Sequence, residues 1–209
     1  GGDVSTVMSV ASLFLSRVDT LVDNLLESAS IEAGRFRVHP RPANLGEIIA
    51  EAAATMQPLL DRHGQRLAVE LPAAIPVVMA DPRRMVQVLV NLLSNASNAQ
   101  RGLADMATGQ ITISAIVEGD AQRLPTSAQT VRVLVADQGP GIPADQKIEL
   151  LRGRRFAVPS GAGRAEDYPS GFGLGLSVVK AIVEGHGGRW GIDGRPGGGA
   201  VVWFTLLRA

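Results

Sequence analysis

Three clusters in this sequence combine residue types that can do chemistry. Gln87, Asn91, Asn95 and Asn98 lie four, four and three residues apart, so a helix would gather them into one stripe. Asparagine is a weak helix former, and a row of amides beside an apolar face needs partners. Amide carbonyl oxygens suit a hard cation such as Mg²⁺, which also bridges phosphates, although a solvated polar side of an amphipathic helix would look the same. The second cluster is Val133-Leu134-Val135-Ala136-Asp137-Gln138-Gly139-Pro140-Gly141-Ile142, a strand pattern running into an acid and two glycines. A carboxylate held at a sheet rim can accept from an exocyclic amine such as that of adenine, and the glycines allow close backbone approach. An ordinary strand-to-loop turn shares that pattern. The third is Gly171-Phe172-Gly173-Leu174-Gly175-Leu176 at the mouth of a helix, where free N–H groups and the helix dipole favour phosphate. A dinucleotide fingerprint would follow directly on a strand, and here a long loop precedes the glycines.

The elements that must position these residues are legible in outline. Asn44 can cap a helix that runs to about His63 and ends at Gly64. Arg66 to Leu71 and Pro76 to Ala80 read as short strands, and Pro82 opens a helix to about Arg101. Gln110 to Val117 and Thr130 to Ala136 are rich in Val, Ile and Thr and read as strands. A Gly-, Arg- and Pro-rich loop spans Gln138 to Ser170, with a short helix near Asp145 to Leu151, and a helix follows over Gly173 to His186. Two strands close the chain, near Arg189 to Ile192 and Ala200 to Leu207. Mixed in this order, they predict an α+β layered sheet with helices on one face.

Ahead of this region lies a run without Gly or Pro from Asp3 to Ala33, with Leu15, Val18, Leu21, Val22, Leu25 and Leu26 at helical spacing. One helix of roughly thirty residues would extend ~45 Å and needs a partner helix. Phe36 to Pro42 holds two prolines and reads as a stiff linker, so the expected division is 1–35, a linker at 36–43, and 44–209.

Composition narrows the function classes. The 209 residues carry 20 Lys+Arg against 20 Asp+Glu, so no basic field draws the chain to nucleic acid or to an anionic membrane. With no cysteine, disulfides, thiolate zinc and thiol catalysis are excluded. No apolar run approaches the ~18 residues of a membrane span. The expected location is the cytoplasm without direct membrane contact, any inner-membrane anchor being carried by a longer parent protein.

In order and spacing, Asn91-Leu92-Leu93-Ser94-Asn95-Ala96, Asp137-Gln138-Gly139-Pro140-Gly141-Ile142 and Gly171-Phe172-Gly173-Leu174-Gly175-Leu176-Ser177 resemble the N box and the first two glycine boxes of the sensor histidine kinases. These form the kinase branch of the GHKL ATPase superfamily. Gly197-Gly198-Gly199-Ala200 stands in place of the last glycine box, and the likeness spans about Asn44 to Leu206. Leu21 to Glu27 with Ile31 to Gly34 resembles the second helix of the family's dimerisation and phosphotransfer domain. The resemblance implies a Bergerat-type two-layer α/β sandwich that binds ATP or ADP with Mg²⁺ beneath a mobile lid. The implied binding residues are Asn91, Asn95 and Asn98, then Asp137 for the adenine amine with Gly139, Gly141 and Ile142. Gly171, Phe172, Gly173, Leu174, Gly175 and Leu176 complete the set, and Asn95 and Asn91 would hold the metal. Implied partners are a phosphoacceptor histidine domain, a response regulator, and a second copy through the N-terminal helix.

Two departures bear on mechanism. Asn98 stands where many members carry Lys, and Arg152, Arg154, Arg155 and Arg164 are candidate substitutes. His39, His63 and His186 are the three histidines, none in a phosphoacceptor context, so the chain is not expected to phosphorylate itself. Hydrolysis in the manner of gyrase or chaperone ATPases is disfavoured, because Asn91 stands where those carry a glutamate base. The alternative is a nucleotide-sensing module without phosphotransfer.

Overall fold

The computed structural model describes residues 36–100, 109–118, 129–151, 174–195 and 197–209. The chain divides between Phe36 and Arg37. The expected long helix, the Gly171-Phe172-Gly173 part of the third cluster and the arginines between 152 and 164 lie outside the described residues.

Chain order is β1 (Arg41–Ala43), α1 (Leu45–Arg62), β2 (Arg66–Glu70), β3 (Val78–Ala80), α2 (Pro82–Ala99), β4 (Gln110–Glu118) and β5 (Thr130–Ala136). There follow α3 (Ala144–Leu151), α4 (Leu174–Gly185), β6 (Trp190–Gly194) and β7 (Ala200–Leu207). Among the described residues the main sheet has the order β2-β4-β5-β7-β6, and β1 and β3 form a separate pair. Strand β2 runs parallel to β4, whereas β4–β5, β5–β7 and β6–β7 are antiparallel. This is the expected α+β sandwich.

Alternation assigns the faces of the sheet. Ile111, Ile113, Val131, Val133, Val135, Phe204 and Leu206 are buried, while Thr112, Ser114, Arg132 and Leu134 between them are only partly so. Over the buried face lie helices whose apolar residues recur at helical spacing: Leu45, Ile48, Ile49, Ala52, Met56 and Leu60 on α1, and Met85, Val88, Leu89, Leu92, Leu93 and Ala96 on α2. Val178, Val179, Ile182 and Val183 of α4 complete the layer.

Local chemistry fixes where α1 begins. Asn44 Oδ1 accepts from Gly46 N at 2.9 Å and Glu47 N at 3.4 Å, while its Nδ2 donates to Glu47 Oε1 at 3.1 Å. Asn44→Ala should therefore cost about 1 kcal/mol in urea unfolding, and an unchanged midpoint would show that the cap is dispensable. At the other end Gly64 takes φ 65°, the left-handed exit that glycine permits.

The proline-rich stretch departs from its expectation as a plain linker. Arg41–Ala43 pairs antiparallel with β3, with Arg41 opposite Ala80 and Ala43 opposite Val78. Pro42 is tolerated because it sits in a two-stranded edge pair, where a missing N–H leaves no central ladder broken. His39 N also donates to Asp81 Oδ2 at 3.2 Å. Helix α2 starts as expected at Pro82, capped by Asp81 Oδ1 accepting from Arg84 N at 3.4 Å. Asp81 is fixed in turn by buried His186, whose Nε2 accepts from Asp81 N at 2.8 Å while its Nδ1 lies 2.7 Å from Ile182 O. That pair of partners places the proton on Nδ1.

Candidate functional site

The site forms where β5 ends. Val131, Val133 and Val135 point into the core, and the same period of two directs Asp137 toward the helical layer just past the strand. Asp137 is 6% exposed. Its Oδ1 accepts from Gly139 N at 2.8 Å and Ala200 N at 3.2 Å, and its own N–H donates to Ala200 O at 3.0 Å. Oδ1 is thus held by the backbone, and Oδ2 has no hydrogen bond among the described residues. Burial pushes the carboxyl above its ordinary value of 3.8, opposed by those two N–H donors and by the positive field of Arg195.

Glycines allow the loops to close around this carboxylate. A Cβ on Gly139 would lie 3.0 Å from Asp137 Oδ1 and from Ala99 O. Gly199, at φ 98°, lies so close to the strand end that a Cβ would fall 2.1 Å from Asp137 O. Gly141, at φ 80°, backs onto the same turn, 3.1 Å from Gly199 O by that measure.

A cleft opens above Asp137, with about 440 Å³ of empty space continuous with solvent. Its walls are Leu92, Asn95, Ala96 and Ala99 from one face of α2, Val135, Ala200 and Val202 from the sheet, Ile142, and Leu176 from α4. An apolar slot with a hydrogen-bond acceptor at its base suits a flat heteroaromatic ring that carries an amine.

Of the expected binding residues, Asn95, Asp137, Ile142 and Leu176 line this cleft, with Gly139 and Gly141 shaping the loop beside it. Asn91 is one turn of α2 before Asn95 and faces the start of α4: a Cβ on Gly175 would stand 3.6 Å from Asn91 Cγ. Asn98 is half-buried and does not line the cleft. The backbone of Leu174 opens α4.

The site passes a simple test for a metal-bound polyphosphate. Nδ2 of both Asn91 and Asn95 is buried without a hydrogen-bond partner. Two orphaned amide donors on one helix face are costly unless acceptors arrive, and phosphate oxygens are such acceptors. The carbonyl ends of the same side chains are oxygen ligands of the kind Mg²⁺ takes, and the first N–H groups of α4 stand beside Asn91. Ala99 and Arg195 were not singled out from sequence, and Ala200 only as the end of the last glycine box. The two alanines have no chemistry to flag them, and Arg195 is signalled only by its place beside Gly197-Gly198-Gly199.

Residues 80–209 match the family model described as histidine kinase-, DNA gyrase B-, and HSP90-like ATPase. The chain belongs to that family. Within it, the chain carries the ATP-binding catalytic domain of the sensor histidine kinases. The adaptive-response sensory kinase SasA of Prochlorococcus marinus is 32% identical over 204 residues, which is 98% of this chain and 49% of that protein. SasA of Synechocystis sp. is 29% identical over 189 residues, 90% of this chain and 44% of its own length. The chain thus spans about half the length of the curated relatives it matches. Among solved structures, full-length ShkA in complex with AMPPNP superposes with a TM-score of 0.68 at 25% identity, covering 97% of this chain and 39% of ShkA. The catalytic domain of histidine kinase ThkA gives 0.59 at 26% identity, covering 81% and 96%.

Proposed function

We propose that this domain holds Mg-ATP in the cleft above Asp137 and presents its γ-phosphoryl group to a histidine outside this chain, as part of a two-component sensor kinase. The observation that carries the reading is a buried, backbone-anchored carboxylate at the base of an apolar slot, whose Oδ2 has no hydrogen bond among the described residues, with the unpartnered amide of Asn95 on the wall and that of Asn91 one helical turn away. Asp137 accepts from the adenine amine, and Leu92, Ala96, Ala99, Ile142 and Leu176 enclose the ring. Asn95 and Asn91 hold the phosphates and the metal. Gly139, Gly141 and Gly175 leave room for the ligand, and the family resemblance assigns Gly171, Phe172, Gly173 and Leu174 to the same ligand, the first three lying outside the described residues. Bound Mg²⁺ neutralises phosphate charge. Phosphoryl transfer requires mostly such positioning and neutralisation, which these side chains supply without a protein base.

Two of the described histidines, His186 and His63, have ring nitrogens already engaged within the fold. Both ring nitrogens of His186 are engaged in the core, and His63 Nδ1 meets Ser97 Oγ at 3.0 Å. The same reading makes residues 1–35 part of a dimerisation and phosphotransfer region through which two copies associate in the cytoplasm, with a response regulator as the eventual phosphoryl receiver.

Calorimetric titration with ATP tests the site. Asn95→Ala should lose roughly tenfold or more in affinity with Mg²⁺ present, the cost of a hydrogen bond to a charged group, and much less in EDTA. Equal losses in both conditions would show that Asn95 acts on the fold rather than on the metal-bound phosphates.

A further inference from the structure

Helices α2 and α4 pack against each other and run in opposite directions. At one end Asp81 N, just ahead of α2, donates to Nε2 of His186, just past α4, at 2.8 Å. Toward the other end a Cβ on Gly175 would stand 3.6 Å from Asn91 Cγ and Oδ1. Asn91 is ten residues beyond Asp81 and Gly175 eleven before His186, so each helix rises roughly 15–16 Å from one point to the other. Over that length the buried side chains are apolar, with Met85, Val88 and Leu89 on α2 and Val179, Ile182 and Val183 on α4. Apolar contact is non-directional, and packed helices can shift past each other by about 1–2 Å. A hydrogen bond is directional and sets the register where it forms.

His186 is itself held from behind. It is 4% exposed, its Nδ1 donates to Ile182 O at 2.7 Å, and its backbone N–H donates to the same carbonyl at 3.2 Å. Gly188 N donates to Val183 O at 3.0 Å, and a Cβ on Gly188 would collide with Thr205 O, so the turn after α4 sits directly on β7. The imidazole is thus fixed to the sheet, and the start of α2 is fixed to the imidazole. Farther along α2 are the two amides whose Nδ2 atoms lack partners, Asn91 and Asn95.

We propose that His186 is a positioning residue: by accepting from Asp81 N it sets the axial register of α2 on α4, and with it the placement of Asn91 and Asn95 against the first turn of α4. The ligand named here rests on the nucleotide reading above, whereas the helix register does not. A slip of α2 bears unequally on the two halves of that ligand. The adenine amine is met by Asp137, past the end of β5, and the ring by apolar walls that tolerate a small shift. Bonds from amides to phosphate oxygens do not tolerate it, because they weaken steeply with distance and angle.

Two variants separate the bonds of the imidazole. His186→Asn keeps a donor for Ile182 O but is too short to reach Asp81 N, whereas His186→Gln carries an oxygen that can accept in place of Nε2. In the ¹⁵N-labelled full chain without ligand, His186→Asn should move the side-chain amide signals of Asn91 and Asn95 and the backbone amide of Gly175, leaving those of Gly139 and Ala200 in place. His186→Gln should return them most of the way. In calorimetric titrations His186→Asn should bind Mg-ADP roughly three- to thirtyfold more weakly, the range by which residues remote from a ligand modulate its binding, with adenosine affinity unchanged and His186→Gln close to the parent. Should His186→Asn not fold, His186→Leu takes its place with the same expectations. Equal losses for adenosine and Mg-ADP would overturn the proposal, as would unmoved amide signals or a Gln variant no better than the Asn one. If the signals move as expected while the parent binds neither ligand, the nucleotide reading fails and the register role of His186 stands.

Discussion

Asp137→Asn should abolish most nucleotide affinity while leaving the domain folded and, at neutral pH, at least as stable as the parent. The asparagine Oδ1 can keep both backbone donors, Gly139 N and Ala200 N, so the loop and the end of β7 stay in place. What changes is the second position, where Nδ2 replaces an accepting oxygen and offers protons to an amine. Losing a charge-assisted bond is worth about 1.5–3 kcal/mol, so calorimetry should find ATP bound roughly ten- to a hundredfold more weakly. Stability runs the other way. The folded carboxyl titrates above 3.8, so the native state retains the proton to higher pH than the unfolded chain does. Its contribution to stability is therefore complete below the unfolded value and is lost as pH rises through the folded one, leaving the cost of a buried charge at pH 7. Asparagine removes that cost. The parent should gain on the variant as pH falls from 7 toward 4, and a variant that melts well below the parent at pH 7 would contradict this account.

Gly199→Ala should be among the most damaging single-methyl additions to the domain. The new Cβ would lie 2.1 Å from Asp137 O, a backbone atom just past β5 in a residue whose own N–H is bonded to Ala200 O, and φ of 98° is unfavourable for any side chain. Backbone strain and an unrelieved clash together predict a loss of about 3 kcal/mol or more in urea unfolding. Gly197 provides the control. Its φ is 87°, yet a Cβ there meets nothing within 4 Å, so Gly197→Ala should cost only the conformational part, about 1–2 kcal/mol. If the two variants were equally destabilised, the close approach to Asp137 would carry no energetic weight.

Where one rule dominated, the fold was readable from residue types. Asn44 with Glu47, and Pro82, mark real helix starts, and alternating Val and Ile along 111–115 and 131–135 mark strands with one buried face. Local rules failed where pairing decided the outcome. Pro40 and Pro42 signal a linker, but β1 exists because β3 offers it an edge, a partner 35 to 39 residues away that no window contains. Helix α1 continues through Pro58, a residue that ordinarily ends a helix, because Met56 and Leu60 on either side are buried. The family resemblance grouped Asp137 and Asn95 with Ile142 and Leu176, and the structure brings these four into one cleft. Asn98 belongs to the same periodic stripe but lies off the cleft, since the stripe winds around α2 while the cleft follows Leu92, Asn95, Ala96 and Ala99. Arg195 was illegible because its relation to Asp137 depends on how the β6–β7 turn folds back.

The bond between Asp137 Oδ1 and Ala200 N joins residues 63 positions apart. During synthesis, the ribosome delivers Asp137 and both amides of α2 well before the strand that completes the carboxylate's cradle. Until β7 emerges and pairs with β5, Oδ1 lacks one of its two backbone donors and the cleft lacks the wall formed by Ala200 and Val202. The cleft in its folded form therefore exists only once β7 has paired with β5. A chain terminated before Ala200 therefore lacks both the second donor to Asp137 Oδ1 and that wall of the cleft.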